Sequence, residues 1–206
     1  MLADQGIFQI ALLIVFILVS LTVHEFMHAY VGHLLGDQTA HDAGRVSLNP
    51  LKHIDPLMTV LLPIVTILLA GTPILAARPV PFDPRFVKYE EFGAAMIAAA
   101  GPVSNLLLAI IGAVLGHVLD PASGSTLYYA IELFTVLNVG LFVFNILPIP
   151  PLDGSRVLYA FAPEPLQELM ERIEPYGLMV IFALVLLGGL NGVITHLDQL
   201  VLNLLP

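Results

Sequence analysis

The sequence predicts an all-α polytopic membrane protein, with about four full spans and a re-entrant or hairpin segment between the first and the second. Three observations predict it. Of 206 residues, 58% are hydrophobic and 11% charged, against about 25% charge in a soluble domain, and the mean hydropathy is +0.92. Long apolar runs recur, and a helix is the form in which such a run satisfies its own backbone in lipid. Lys and Arg are confined to three segments, 36–56, 77–91 and 148–175. By the positive-inside rule these face the cytosol, which puts both termini on the outer side.

Composition also excludes. With no cysteine there are no disulfides and no thiolate metal sites. A formal net charge of −9 leaves no basic footprint for nucleic acid. The start, Met1-Leu-Ala-Asp-Gln-Gly, lacks the positive region of a signal peptide, so the first helix is expected to be retained. The length suits one membrane-embedded domain over 1–206.

The first helix is expected from about Gly6 to Leu35, ended by Gly36-Asp37. Ile7 to Val23 is apolar except for Gln9, Ser20 and Thr22, and it runs straight into His24-Glu25-Phe-Met-His28. Histidines four apart share one helical face, so both imidazoles can reach one zinc ion. Glu25, beside them, can take a proton from a water held there. At ~1.5 Å per residue His24 lies roughly 25 Å beyond Ile7, near the far edge of a ~30 Å hydrocarbon layer. Ionisable groups at that depth are costly and usually functional. His33 is out of register with this pair and reads as a boundary residue.

Residues 36–56 form a polar connector in which His41, Asp42, His53 and Asp55 read as parts of a solvated loop. Residues 57–76 are apolar but broken by Pro63 and Gly71-Thr-Pro73. The charge pattern on either side makes this segment enter and leave on one face. The rival is a full span with Arg78-Pro-Val-Pro81 outside.

Residues 91–119 read as a span lined by small residues, with Pro102 and Asn105 inside it. On spacing alone Asn105 reads as an interhelical hydrogen bond. Residues 127–147 return, with Asn138 and Asn145 on nearly one face, and stop at Pro148-Ile-Pro-Pro151. Asp153 follows at the depth expected for His24 and His28. A zinc site needs a third protein ligand, and an anionic oxygen suits it. Asp153 is therefore preferred over a plain helix cap. A last span is expected over 175–194.

Three motifs now stand in order: His24-Glu25-x-x-His28, Ala100-Gly101-Pro102-x-x-Asn105, and Asn145-x-x-Pro148-x-Pro150-x-Leu152-Asp153-Gly154. Together with Gly44-Arg45-Val-Ser-Leu-Asn-Pro50 and Arg78-Pro-Val-Pro81 they resemble the site-2 protease family, the intramembrane zinc metalloproteases, across nearly the whole chain. The resemblance implies one zinc ion per chain on His24, His28 and Asp153, with Glu25 activating water. It also implies Asn105 and Asn145 in contact with the substrate backbone. The implied substrate is a transmembrane segment of another protein, cut within the lipid bilayer of the cell membrane near its cytosolic face. The chain departs from longer members in lacking PDZ or CBS modules and a span before the zinc-binding helix. The alternative is a membrane metal-ion binding or transport protein, which predicts ionisable residues at several depths; here they cluster at one.

Overall fold

The computed structural model describes residues 2–55, 59, 65 and 78–206; the segment expected to be re-entrant, 57–76, lies almost wholly outside them. Among the described residues there is no strand, and the regular elements are all helical. Among the described residues eight α-helices follow one another: α1 (Leu2–Leu34), α2 (Thr39–Asp42), α3 (Glu90–Leu119), α4 (Thr126–Ile146), α5 (Asp153–Phe161), α6 (Glu164–Ile173), α7 (Gly177–Leu186) and α8 (Asn191–Leu204). Among the described residues, α1, α3 and α4 are long and apolar enough to cross a membrane, and α6–α8 make a fourth if the bent pair is one span.

α1 ends as its sequence predicts. Gly36 takes φ +103°, its N–H donates to the His33 carbonyl, and the Asp37 N–H donates to the Gly32 carbonyl. This satisfies carbonyls that the last turn would leave open. Asp37 is buried and fixes the next chain segment. One carboxylate oxygen accepts from the Thr39 N–H and hydroxyl, the other from the Asp83 N–H at 3.0 Å.

α1, α3 and α4 pack where small residues let backbones approach. A Cβ on Gly112 would meet the Thr135 hydroxyl oxygen at 2.4 Å. Nearby, Ala109, Val139 and Val143 close the core between α3, α4 and α8. The Ser125 hydroxyl caps α4 by accepting from the Tyr128 N–H.

The span expected over 175–194 is not one helix. It breaks after Leu186, and α8 leaves at 87° to the preceding α6–α7 segment. Gly188 takes φ +70°, which other residues rarely adopt, and the turn closes with the Gly189 N–H donating to the Leu184 carbonyl. Hydropathy reads straight through this break because the residues on both sides are apolar. α8 then packs along α4, with Ile194, Leu197, Val201 and Leu202 against Val139 and Val143.

Candidate metal centre

The three helices meet at His24, Glu25 and His28, all buried: 4%, 7% and 8% exposed. Ligand atoms of these three lie within 4.8 Å of one another. Asp153, the first residue of α5, reaches the same place from 125 or more positions away. Its Oδ2 is 3.2 Å from Nε2 of His24 and 3.4 Å from Nε2 of His28. Two donors each about 2.0–2.1 Å from a tetrahedral zinc lie roughly 3.3 Å apart, so this donor set fits the ion. Two neutral imidazoles and one carboxylate would leave a fourth position open, the pattern of a catalytic rather than a structural site.

The local chain explains how Asp153 arrives. The Pro148-Ile-Pro-Pro151 stretch ends α4, and Gly154 permits the turn back: a Cβ there would meet the Ile146 carbonyl oxygen at 2.1 Å. The Ser155 hydroxyl donates to the Leu152 carbonyl.

Both imidazoles are fixed from behind. His28 Nδ1 lies 2.7 Å from the Ile97 carbonyl, which can only accept, so Nδ1 carries a proton and in the neutral ring the lone pair is on Nε2. His24 Nδ1 lies 2.6 Å from Oδ1 of Asn105. Asn105 is fully buried and does not line the cavity in front of the imidazoles; its Nδ2 donates to Asn138 Oδ1 at 3.0 Å.

That cavity holds about 380 Å³ and is lined by Val80, Phe82, Leu178 and Ile181, with Asn145 among its polar lining groups. Nδ2 of Asn145 donates to the Leu141 carbonyl, and its oxygen has no hydrogen-bond partner among the described residues. Arg156 and Glu174, which pair with each other, also border the space.

The connector 36–56 is less solvated than its polarity suggests. His41 and Asp42 do lie at the surface and face each other. His53 and Arg45 are buried, at 2% and 5% exposure. The Arg45 guanidinium donates to the Arg78 and Pro79 carbonyls and faces His53 Nδ1, while His53 Nε2 donates to the Ser47 carbonyl. Burial pushes the guanidinium below its ordinary value, opposed by the charge of Glu25. Arg45 thus clamps the start of the extended segment that carries Val80 and Phe82, and Asp37 holds its end. Sequence reasoning left Arg45 and Asn138 without a role. The spacing of Asn138 seven residues before Asn145 was the one available signal.

The fold and donor set define the class: a helical membrane protein with a His-Glu-x-x-His zinc site. Residues 117–188 match the model of peptidase family M50. Among curated proteins the chain is similar to YwhC of Bacillus subtilis, named as a zinc metalloprotease, at 40% identity over 84% of this chain and 78% of that protein. It is similar also to the Rip2 proteins of Mycolicibacterium smegmatis (28% identity, 84% of this chain and 66% of that one) and Mycobacterium tuberculosis (29%, 93% and 72%), named in the same way. No solved structure matches. The chain belongs to peptidase family M50, the site-2 proteases, and is a zinc metalloprotease.

Proposed function

We propose that residues 1–206 form one membrane-embedded protease domain that hydrolyses peptide bonds in or near transmembrane segments of other membrane proteins. The observation that carries this reading is the convergence of Asp153 on His24 and His28 at the end of an apolar helix. His24, His28 and Asp153 would hold one zinc ion, which when bound supplies Lewis acidity and makes water a stronger nucleophile at neutral pH. Glu25 is the general base. Its carboxylate takes a proton from water as the oxygen attacks the scissile carbonyl carbon. It returns that proton to the amide nitrogen as the C–N bond breaks.

The cavity suits an apolar segment that has lost its helix. Leu21, Phe82, Leu178 and Ile181 offer apolar walls. The free oxygen of Asn145 accepts an N–H from an extended substrate backbone. Asn105 supports the site from behind His24 rather than through the cavity. The distribution of basic residues favours a cell-membrane protein with this cavity near the cytosolic face and both termini outside.

The test is Glu25→Gln in a reconstituted assay with a model transmembrane substrate. Zinc content should stay at one per chain while cleavage falls by at least about a hundredfold, the lower range for general-base catalysis. Equal cleavage by the variant would defeat the mechanism. Zinc flux through wild-type vesicles without cleavage would favour the transport alternative.

A further inference from the structure

We infer that Asn138 and Asn105 form a directional hydrogen-bond relay that sets the tautomer of His24, so that Nε2 presents a lone pair to the metal. This rests on the reading of His24 as a zinc ligand.

The relay starts at a group that cannot be misassigned. The Phe134 carbonyl only accepts, and the Asn138 amide faces it at 2.9 Å, so the Asn138 NH₂ must point there. Oδ1 of Asn138 then faces Asn105 at 3.0 Å and can only accept, so the Asn105 NH₂ must face it. A second acceptor, the Ser20 carbonyl, lies 3.4 Å from the same nitrogen. The amide of Asn105 is therefore fixed with its oxygen toward His24, 2.6 Å from Nδ1. That nitrogen must carry a proton, and in the neutral ring Nε2 is left with the lone pair. Asn105 and Asn138 are both fully buried, so water does not compete for these positions.

The relay ties α4 to α3 and α3 to α1, and each link runs one way. Without the Asn138 oxygen, the weaker contact to Ser20 alone would hold the Asn105 amide. A flipped amide would offer its NH₂ to His24 Nδ1 and move the ring proton to Nε2, the nitrogen that faces Asp153. Partners behind metal-bound histidines fix tautomer and ring orientation, and their loss typically costs tenfold to a hundredfold in metal affinity. Asn138 touches neither substrate nor metal; it and Asn105 are positioning residues. His28 needs no such device, because a backbone carbonyl does the same work directly.

The experiment uses the full chain in detergent micelles, metal-free, with ¹⁵N-labelled histidine; the His24 signals are assigned by their loss in His24→Ala. Wild type should show His24 protonated at Nδ1, and Asn138→Leu should shift it toward Nε2. Zinc affinity, measured by chelator competition, should fall tenfold or more in Asn138→Leu and stay within about threefold of wild type in Asn138→Asp, which keeps an oxygen facing Asn105. A wild-type His24 protonated at Nε2 and not at Nδ1 would overturn the relay without any variant. So would an Asn138→Leu protein that keeps both tautomer and affinity, or an Asn138→Asp protein that loses as much as Asn138→Leu. Unchanged zinc affinity in His24→Ala would sink the ligand assignment itself. A weakened His24→Ala beside a wild-type-like Asn138→Leu would sink the relay alone.

Discussion

Gly101 of α3 lies so close to His28 of α1 that a Cβ built on it would sit 2.3 Å from the imidazole Nε2, and 2.6 Å from Nε2 of His24. A methyl group at this position would occupy the space into which both lone pairs point. Gly101 thus keeps the space in front of both Nε2 atoms open while α1 and α3 stay in contact.

Gly101→Ala should therefore damage the site more than the fold. Overpacking of a buried position costs about 1–3 kcal/mol, but a displacement of about 1 Å at the reacting groups costs on the order of a hundredfold in rate. The expected outcome is zinc affinity down by at least tenfold and cleavage by about a hundredfold. Chelator competition and the reconstituted assay measure the two. An alanine variant with wild-type zinc affinity would show that the helices separate at no cost to the metal.

Gly154→Ala should act on the same metal from the other side. A Cβ 2.1 Å from the Ile146 carbonyl oxygen forces the first turn of α5 away from α4, and Asp153 with it. The loss in zinc affinity should approach that of Asp153→Ala, and both should exceed the tenfold to hundredfold typical of an outer-shell change. If Gly154→Ala binds zinc like wild type while Asp153→Ala does not, the turn tolerates the methyl and the carboxylate is placed by other contacts.

Parts of this site were legible because they are local. His24 and His28 share a face by helix geometry alone, and Gly36 announces the end of α1. Asp153 was read from topology, two expected spans returning the chain toward His24 and His28, and its Oδ2 lies 3.2 and 3.4 Å from their Nε2 atoms. The rest depends on how helices rotate against one another, which a single sequence does not encode openly. Asn138 reads as an ordinary polar residue in a span until α3 and α4 are docked. Arg45 sits in a connector whose polarity suggests solvent, yet it is buried because the carbonyls of Arg78 and Pro79 meet its guanidinium. The break at Gly188 is hidden within an apolar run.

Arg45→Met tests the clamp beside the cavity. The substitution keeps bulk and removes the hydrogen bonds to the Arg78 and Pro79 carbonyls, each worth about 1.5–3 kcal/mol when the donor is charged. The segment carrying Val80 and Phe82 should loosen, while zinc, which Arg45 does not touch, should bind as before. The expected signature is a raised KM, about tenfold or more, with zinc affinity unchanged. Zinc loss in this variant would instead make Arg45 a support of the metal centre.

Tyr159 on α5 gives a pH-dependent readout away from the metal. Its hydroxyl donates to Glu171 at 2.6 Å, and that bond, with burial and the carboxylate charge adding to it, raises the phenol from its ordinary value of 10.0 to about 12. A group raised on folding contributes its stability below its unfolded value and loses it as pH climbs through the folded one. The tie between α5 and α6 should thus be complete at pH 9 and should fade from about pH 10 to 12. Ultraviolet titration should show one tyrosine ionising late, and Glu171→Gln should bring it back toward the others. A late tyrosine that is unmoved by Glu171→Gln would assign the shift to burial instead of the hydrogen bond.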